Sequence, residues 1–181
     1  MRYVIAITFG LLFTTSGTAL ATCYAEAAGQ YGVPEELLRA TAAVESGGNR
    51  KAVGRNPDGT SDLGLMQINS SHLAKLKQWG ITRHTLLNDG CMNIKVGAWL
   101  MADNFRRHGY TWNGVGAYNV GCRSLSKKEC QVRRNRYAVK IYKALARNAE
   151  PDTPFIAVAV QEGASHVPGI ATVSFAAKGD S

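Results

Sequence analysis

The stretch Arg39-Ala40-Thr41-Ala42-Ala43-Val44-Glu45-Ser46-Gly47-Gly48-Asn49 decides the fold. A run of small residues ends on one carboxylate, and a serine and two glycines follow at once. Leu37, Leu38, Thr41 and Val44 recur at near-helical spacing and mark an inward face. Pro34 suits the first position of this helix, and Glu35 and Glu36 complement its positive end. Gly47 and Gly48 stop it. Ala40, Ala42 and Ala43 leave room for other segments to come close. Two later segments are built to meet Glu45: Gly64-Leu65-Met66-Gln67 and Ala117-Tyr118-Asn119.

Outward from this helix the chain reads as more helices. Residues 23–31 form a short one, which Gly32-Val33-Pro34 breaks. Residues 49–62 are loop, with Asn56-Pro57-Asp58-Gly59 as a turn. Residues 69–79 read as a helix. Asn88-Asp89-Gly90 caps a long helix over 90–108, whose Cys91, Ile94, Ala98, Met101 and Phe105 make one apolar stripe with polar residues opposite. In residues 111–119, Gly114 and Gly116 permit close backbone approach. The last helix spans 131–147, with Ala138, Ile141, Tyr142 and Leu145 inward. No repeat and no strand alternation is visible. The expected fold is mainly α, with minor or no sheet.

The 181 residues suffice for one domain with a core. Arg2, the apolar run Val4–Phe13 and the ending Ala19-Leu20-Ala21 match a secretory signal peptide over residues 1–21. The rival is a membrane anchor, but the run falls short of the roughly 20 residues a spanning helix needs. Leu20-Ala21-Thr22-Cys23 faintly resembles a lipoprotein signal, with Thr22 a poor fit. The domain is then expected over 22–147. Residues 148–181, rich in Ala, Val, Gly, Ser and Pro, are expected to be a flexible tail. Export places the protein in the periplasm, without stable membrane insertion, and a monomer is expected.

Four cysteines remain after export, which implies disulfides. Cys122 and Cys130 bracket a short basic loop and pair, leaving Cys23 with Cys91. No C-x-x-C is present, and none of the four histidines has zinc-ligand spacing, so no metal is expected. Residues 22–147 carry 19 Lys and Arg against 9 Asp and Glu, a net of +10. A basic body suits a polyanionic surface. Export argues against nucleic acid as the partner.

Glu45 is the leading chemical candidate. A glycosidic oxygen leaves poorly until protonated, so its catalyst must stay protonated near neutral pH. The negative end of a helix disfavours a carboxylate there, and Ala42, Ala43 and Val44 hint at poor solvation. The alternative is an ordinary exposed Glu near a helix end. Most glycosidases add a second carboxylate. Asp58 has a structural reason to sit in its turn, and Asp62 precedes the Gly64–Gln67 segment, but neither has a clear catalytic context. A single-carboxylate mechanism is the other option. Met66 offers an apolar wall and Gln67 an amide, against a reading as core filler at a loop-to-helix junction. Tyr118-Asn119 pairs an aromatic face with an amide, against a packed Tyr and a helix cap. Tyr137 lies near the inward face of the last helix, where its hydroxyl seeks a partner. No phosphate loop, H-E-x-x-H or G-x-S-x-G occurs, and no cofactor is expected.

Glu45-Ser46, Gly64–Gln67, Ala117-Tyr118-Asn119 and Tyr137-Ala138 together resemble the soluble lytic transglycosylases of the lysozyme-like superfamily. The Cys91-Met92-Asn93-Ile94 and Val96-Gly97-Ala98-Trp99 runs are similar to its small one-domain members. Those accompany conjugation, type IV or type III secretion and pilus systems. The resemblance covers residues 23–147. It implies a goose-type (SLT) lysozyme-like domain. It also implies cleavage of peptidoglycan between N-acetylmuramic acid and N-acetylglucosamine without water, giving 1,6-anhydro ends. On that resemblance Glu45 is the acid and then the base. Ser46 positions Glu45 or the substrate's N-acetyl group, Met66, Gln67, Tyr118 and Asn119 line the groove, and Tyr137 holds Glu45. The implied partners are glycan strands and secretion or conjugation machinery. The rivals are a hydrolytic lysozyme in which Asp62 activates water, a non-catalytic wall-binding assembly factor, and a basic adhesion or nucleic-acid-binding module.

Overall fold

A computed structural model describes residues 16–148. The expected tail over 148–181, apart from Asn148 at the end of the last helix, and most of the expected signal peptide lie outside them. Helix α1 (Ser16–Tyr31) runs through Ala21-Thr22, so the expected cleavage point falls inside it. α2 (Glu35–Ser46) carries the organising stretch. Pro34 is its N-cap, one position outside the helix, where its φ of −56° leads the chain in. Arg39 pairs with Glu35 one turn earlier, adding local support. Gly47 takes a left-handed conformation at φ 62°, and its N–H bonds Ala43 at 3.1 Å, closing the helix.

The sheet is small but present. β1 (Val53–Arg55), β2 (Ser61–Leu63) and β3 (Ile68–Asn69) form an antiparallel meander in that order. β1 and part of β2 lie where the sequence reads as loop. Three-residue strands are too short for alternation to show. They are held by the 56–60 turn, in which Asp58 accepts from the N–H and hydroxyl of Thr60. Asp58 is thus the turn residue its local context implied.

Residues 70–79 are broken into two 3-10 turns around α3 (Leu73–Leu76). α4 (Arg83–Asn88) was not legible in the sequence; six residues are too few for periodicity, although Thr82 and Thr85 form a capping box. Asp89 caps α5 (Gly90–His108) through the N–H of Met92, as its sequence implies. α5 is buried more widely than one stripe: Asn93, Val96 and Gly97 are inside with Ile94, Ala98, Met101 and Phe105. It packs against α1, α2, α4, α6 (Trp112–Ala117) and β3, so it is the central helix and has little polar face.

α7 (Lys127–Asn148) begins four residues earlier than expected, with Ser126 and Glu129 hydrogen-bonded at its start. Tyr137, Ala138, Ile141 and Ala144 face the core, and Leu145 is half-buried. Tyr142 does not: it is 47% exposed, its ring edge-on to Trp112 at 5.8 Å. It falls about 100° round the helix from Ile141, beyond the buried arc.

Both disulfides are Cys23–Cys91 and Cys122–Cys130, as sequence proximity implies. The first joins α1 to the start of α5 and uses the Cys23 thiol, which removes the lipid-attachment alternative for the folded domain. The second ties the loop at Cys122 to the first turn of α7, with a separation of 8 residues. Replacing Cys122 and Cys130 by serine is expected to lower stability by about 2–3 kcal/mol on the chain-entropy model, read as a lower urea midpoint. Among the described residues no helix is long and apolar enough to cross a membrane.

Candidate active site

α2 and α7 pack together, and their contact brings Glu45 to Tyr137. The Tyr137 hydroxyl donates to Glu45 Oε1 at 2.5 Å, across 92 residues of chain. Tyr137 is only 5% exposed, so this donor is fixed from within the core while Glu45 is half-buried at the surface. Burial raises the Glu45 pKa, and the nearby charge of Asp62 pushes it further up; the Tyr137 hydrogen bond and Lys140 oppose this. Of the three neighbours expected to desolvate it, Ala42 is buried and Val44 half-buried, but Ala43 is exposed. The Tyr137 phenol is itself pushed far above its ordinary value, by burial first and by Glu45 second, so it remains a donor. Ser46 turns its hydroxyl back along α2 to the Ala42 carbonyl at 3.2 Å, beside the carboxyl.

The Gly64–Gln67 segment links β2 to β3 and is pinned from α5. Asn93, with no exposed surface, accepts from the Met66 N–H at 2.8 Å and donates to the Leu63 and Leu86 carbonyls at 2.8 and 2.9 Å. Gly64 sits at φ +74°, and a Cβ there would lie 2.3 Å from Asn93 Nδ2 and 2.5 Å from the Leu86 carbonyl oxygen. Only glycine fits that position. Met66 corrects an expectation. Its side chain is fully buried against Gly97 and forms no groove wall. What Met66 offers the site is its carbonyl, which accepts from the Tyr118 hydroxyl at 2.9 Å. Gln67 is left-handed at φ 48°, and its amide N–H groups bond the carbonyls of Gly64 and Ala52. Its amide donors therefore brace the loop, while Oε1 lies against Gly54.

Tyr118 ends α6, where Gly116 approaches α7 so closely that a Cβ would lie 2.6 Å from that of Arg134. Burial, then the charges of Glu45 and Asp62, hold the Tyr118 phenol well above its usual pKa. Its hydroxyl is thus committed to Met66, near both carboxyls. Asn119 is exposed and lines a cleft of about 350 Å³ with Ser124, Arg133, Arg136, Tyr137 and Lys140.

Asp62 is held on both oxygens, by the side-chain amides of Asn56 at 3.0 Å and Asn69 at 2.8 Å. Sequence reasoning missed these amides, and it named Asn93 without a role. Asn93 had one visible trace: an amide directly before inward Ile94. Among the described residues no three His, Cys, Asp or Glu side chains gather as a metal site.

A helical domain with a three-stranded sheet, one desolvated carboxyl at a helix end and an adjoining cleft is the lysozyme-like arrangement. The chain belongs to the transglycosylase SLT family: residues 22–141 match the family described as Transglycosylase SLT domain. It is 43% identical over 142 residues to invasion protein IagB of Salmonella typhimurium (strain SL1344), covering 78% of this chain and 85% of that one. It is 37% identical over 129 residues to protein IpgF of Shigella flexneri, covering 71% and 82%. A peptidoglycan-binding-like protein of Escherichia coli O157:H7 is 34% identical over 159 residues, covering 84% and 93%.

Proposed function

We propose that this protein is a lytic transglycosylase that cuts the β-1,4 bond between N-acetylmuramic acid and N-acetylglucosamine. Glu45 gives its proton to the leaving glycosidic oxygen as the bond to muramic C1 breaks. The resulting carboxylate takes the proton from the muramic C6 hydroxyl, whose oxygen bonds C1. Glu45 ends protonated, no water is consumed, and the product is a 1,6-anhydro end. The observation that carries this reading is the Tyr137–Glu45 hydrogen bond. It fixes a single carboxyl whose burial favours the protonated form, as an acid working near neutral pH requires. Ser46, Gln67, Tyr118 and Asn119 shape the glycan path: Asn119 from the cleft wall, and Tyr118 and Gln67 chiefly by bracing the backbone beside Glu45.

Export to the periplasm and local opening of the wall for an envelope-spanning apparatus belong to the same proposal, and the similarity to an invasion protein is in keeping with them. A hydrolase would need Asp62 to activate water. Both its oxygens already accept from amides, which favours a role in bracing the sheet and keeping Glu45 protonated. Mass spectrometry of muropeptides from purified wall tests the assignment. Fragments one water lighter than lysozyme products are expected. Reducing ends would turn the reading to the hydrolase, and no fragments to a wall-binding factor.

Tyr137→Phe separates positioning from acidity. The hydroxyl stabilises the charged form of Glu45, so its loss leaves burial less opposed and the Glu45 pKa rises. The alkaline limb of the rate profile should therefore move to higher pH. At the same time kcat should fall about tenfold, because the carboxyl loses its fixed orientation.

A further inference from the structure

Cations line one side of the cleft beside Glu45. Arg133, Arg136 and Lys140 stand at i, i+3 and i+7 on α7, a single helix face, and span about 10 Å along the axis. Tyr137, in the same wall, is the residue that holds Glu45, so the basic surface runs directly into the reacting centre. Among the described residues, none of the ion pairs within 4.0 Å involves these three side chains. Arg133 is felt by Glu129 one turn earlier, but that carboxylate is turned to Ser126, where it accepts from both the hydroxyl and the N–H. Three like charges gathered in a concave site repel one another, and an anion seated among them relieves that. Asn119 and Ser124 add neutral hydrogen-bonding groups to the same wall.

We propose that this wall is an anion subsite for the free carboxylates of the peptide stem borne by the muramic residue being cut. The inference rests on the glycan-cleaving reading above and adds a selectivity to it. The stem is the anionic part of the strand nearest the scissile bond, and the subsite adjoins the acid. Arginine forks suit carboxylates, so Arg133 and Arg136 make the specific contacts. Lys140 contributes charge to both the subsite and Glu45.

The test compares soluble glycan fragments carrying stems with the same fragments stripped of them by an amidase. The wild-type protein should cleave stem-bearing fragments with kcat/KM about tenfold above stripped ones, an advantage that shrinks in high salt. Arg133→Gln with Arg136→Gln should bring that ratio to about one, whereas Arg133→Lys with Arg136→Lys should keep most of it. A ratio of one in the wild type, or one unchanged in the glutamine variant, overturns the subsite. Binding is measured separately with Glu45→Gln, which needs no turnover. A dissociation constant tighter for stem-bearing fragments, and levelled by the two glutamines, supports the subsite even if no fragment is ever cleaved. Equal constants overturn it. Cleavage of both substrates without selectivity, by contrast, leaves the reaction standing and removes only the subsite.

Discussion

Glu45→Gln should lose at least about a thousandfold in kcat, with little change in glycan binding, because one residue serves as both acid and base. Glutamine keeps the shape of the carboxyl and can still accept from the Tyr137 hydroxyl, so α2 and α7 should stay docked. The circular dichroism spectrum should match that of the wild type. The same variant tests the acidity. A carboxyl whose folded pKa is raised stabilises the fold only while it is protonated. That contribution is fully present below the ordinary value of 4.5 and is lost as pH rises through the higher folded value. The wild type should therefore lose ground relative to Glu45→Gln as pH climbs from 4.5 up through the raised folded value. Denaturant midpoints of the two proteins across that range give the comparison. Parallel curves would mean that the carboxyl is as well solvated in the folded protein as in the unfolded chain. Burial would then give Glu45 no means of holding its proton near neutral pH.

Asn93→Ala should destabilise the fold strongly. The substitution removes three buried hydrogen bonds at once and strands the Met66 N–H and the Leu63 and Leu86 carbonyls. Unsatisfied buried groups cost about 1–3 kcal/mol each, so a loss of about 3–5 kcal/mol is expected, read as a lower urea midpoint. Activity should decline before the protein unfolds. The Met66 backbone would no longer be held from α5, and the Tyr118 hydroxyl would lose its fixed acceptor. A loss below about 1 kcal/mol would show that water or a shifted loop takes over the stranded groups.

The helix bearing Glu45 was legible because several local cues agree: Pro34 at its entry, Glu35 and Glu36 in the first turn, Gly47 at its exit. The Asp89 cap and the inward positions of α5 were legible for the same reason. The sheet and α4 were not, since two or three residues of strand and six of helix are shorter than any period. Tyr142 was placed on the wrong side of α7 because a helix face read from sequence has no sharp edge. Met66 was expected to wall a groove, and its side chain lies in the core instead; the Gln67 amide donors bond the loop. Their backbone conformation, set by Asn93 from 27 residues away, turns the Met66 side chain into the core and the Gln67 donors onto the loop itself.

By itself, then, the sequence determined which residues could do chemistry and where α2 and α5 begin and end, and it favoured the pairing of the two cysteines that lie close together. Those are matters of residue type and of neighbours a few positions apart. The tertiary structure alone decided which groups meet. The hydrogen bond from Tyr137 to Glu45 joins residues 92 positions apart, and that from Tyr118 to Met66 joins residues 52 apart. No local periodicity encodes such distances. They follow from packing, as small residues in α2 and α6 let α7 close against the carboxyl and shield it in part from water.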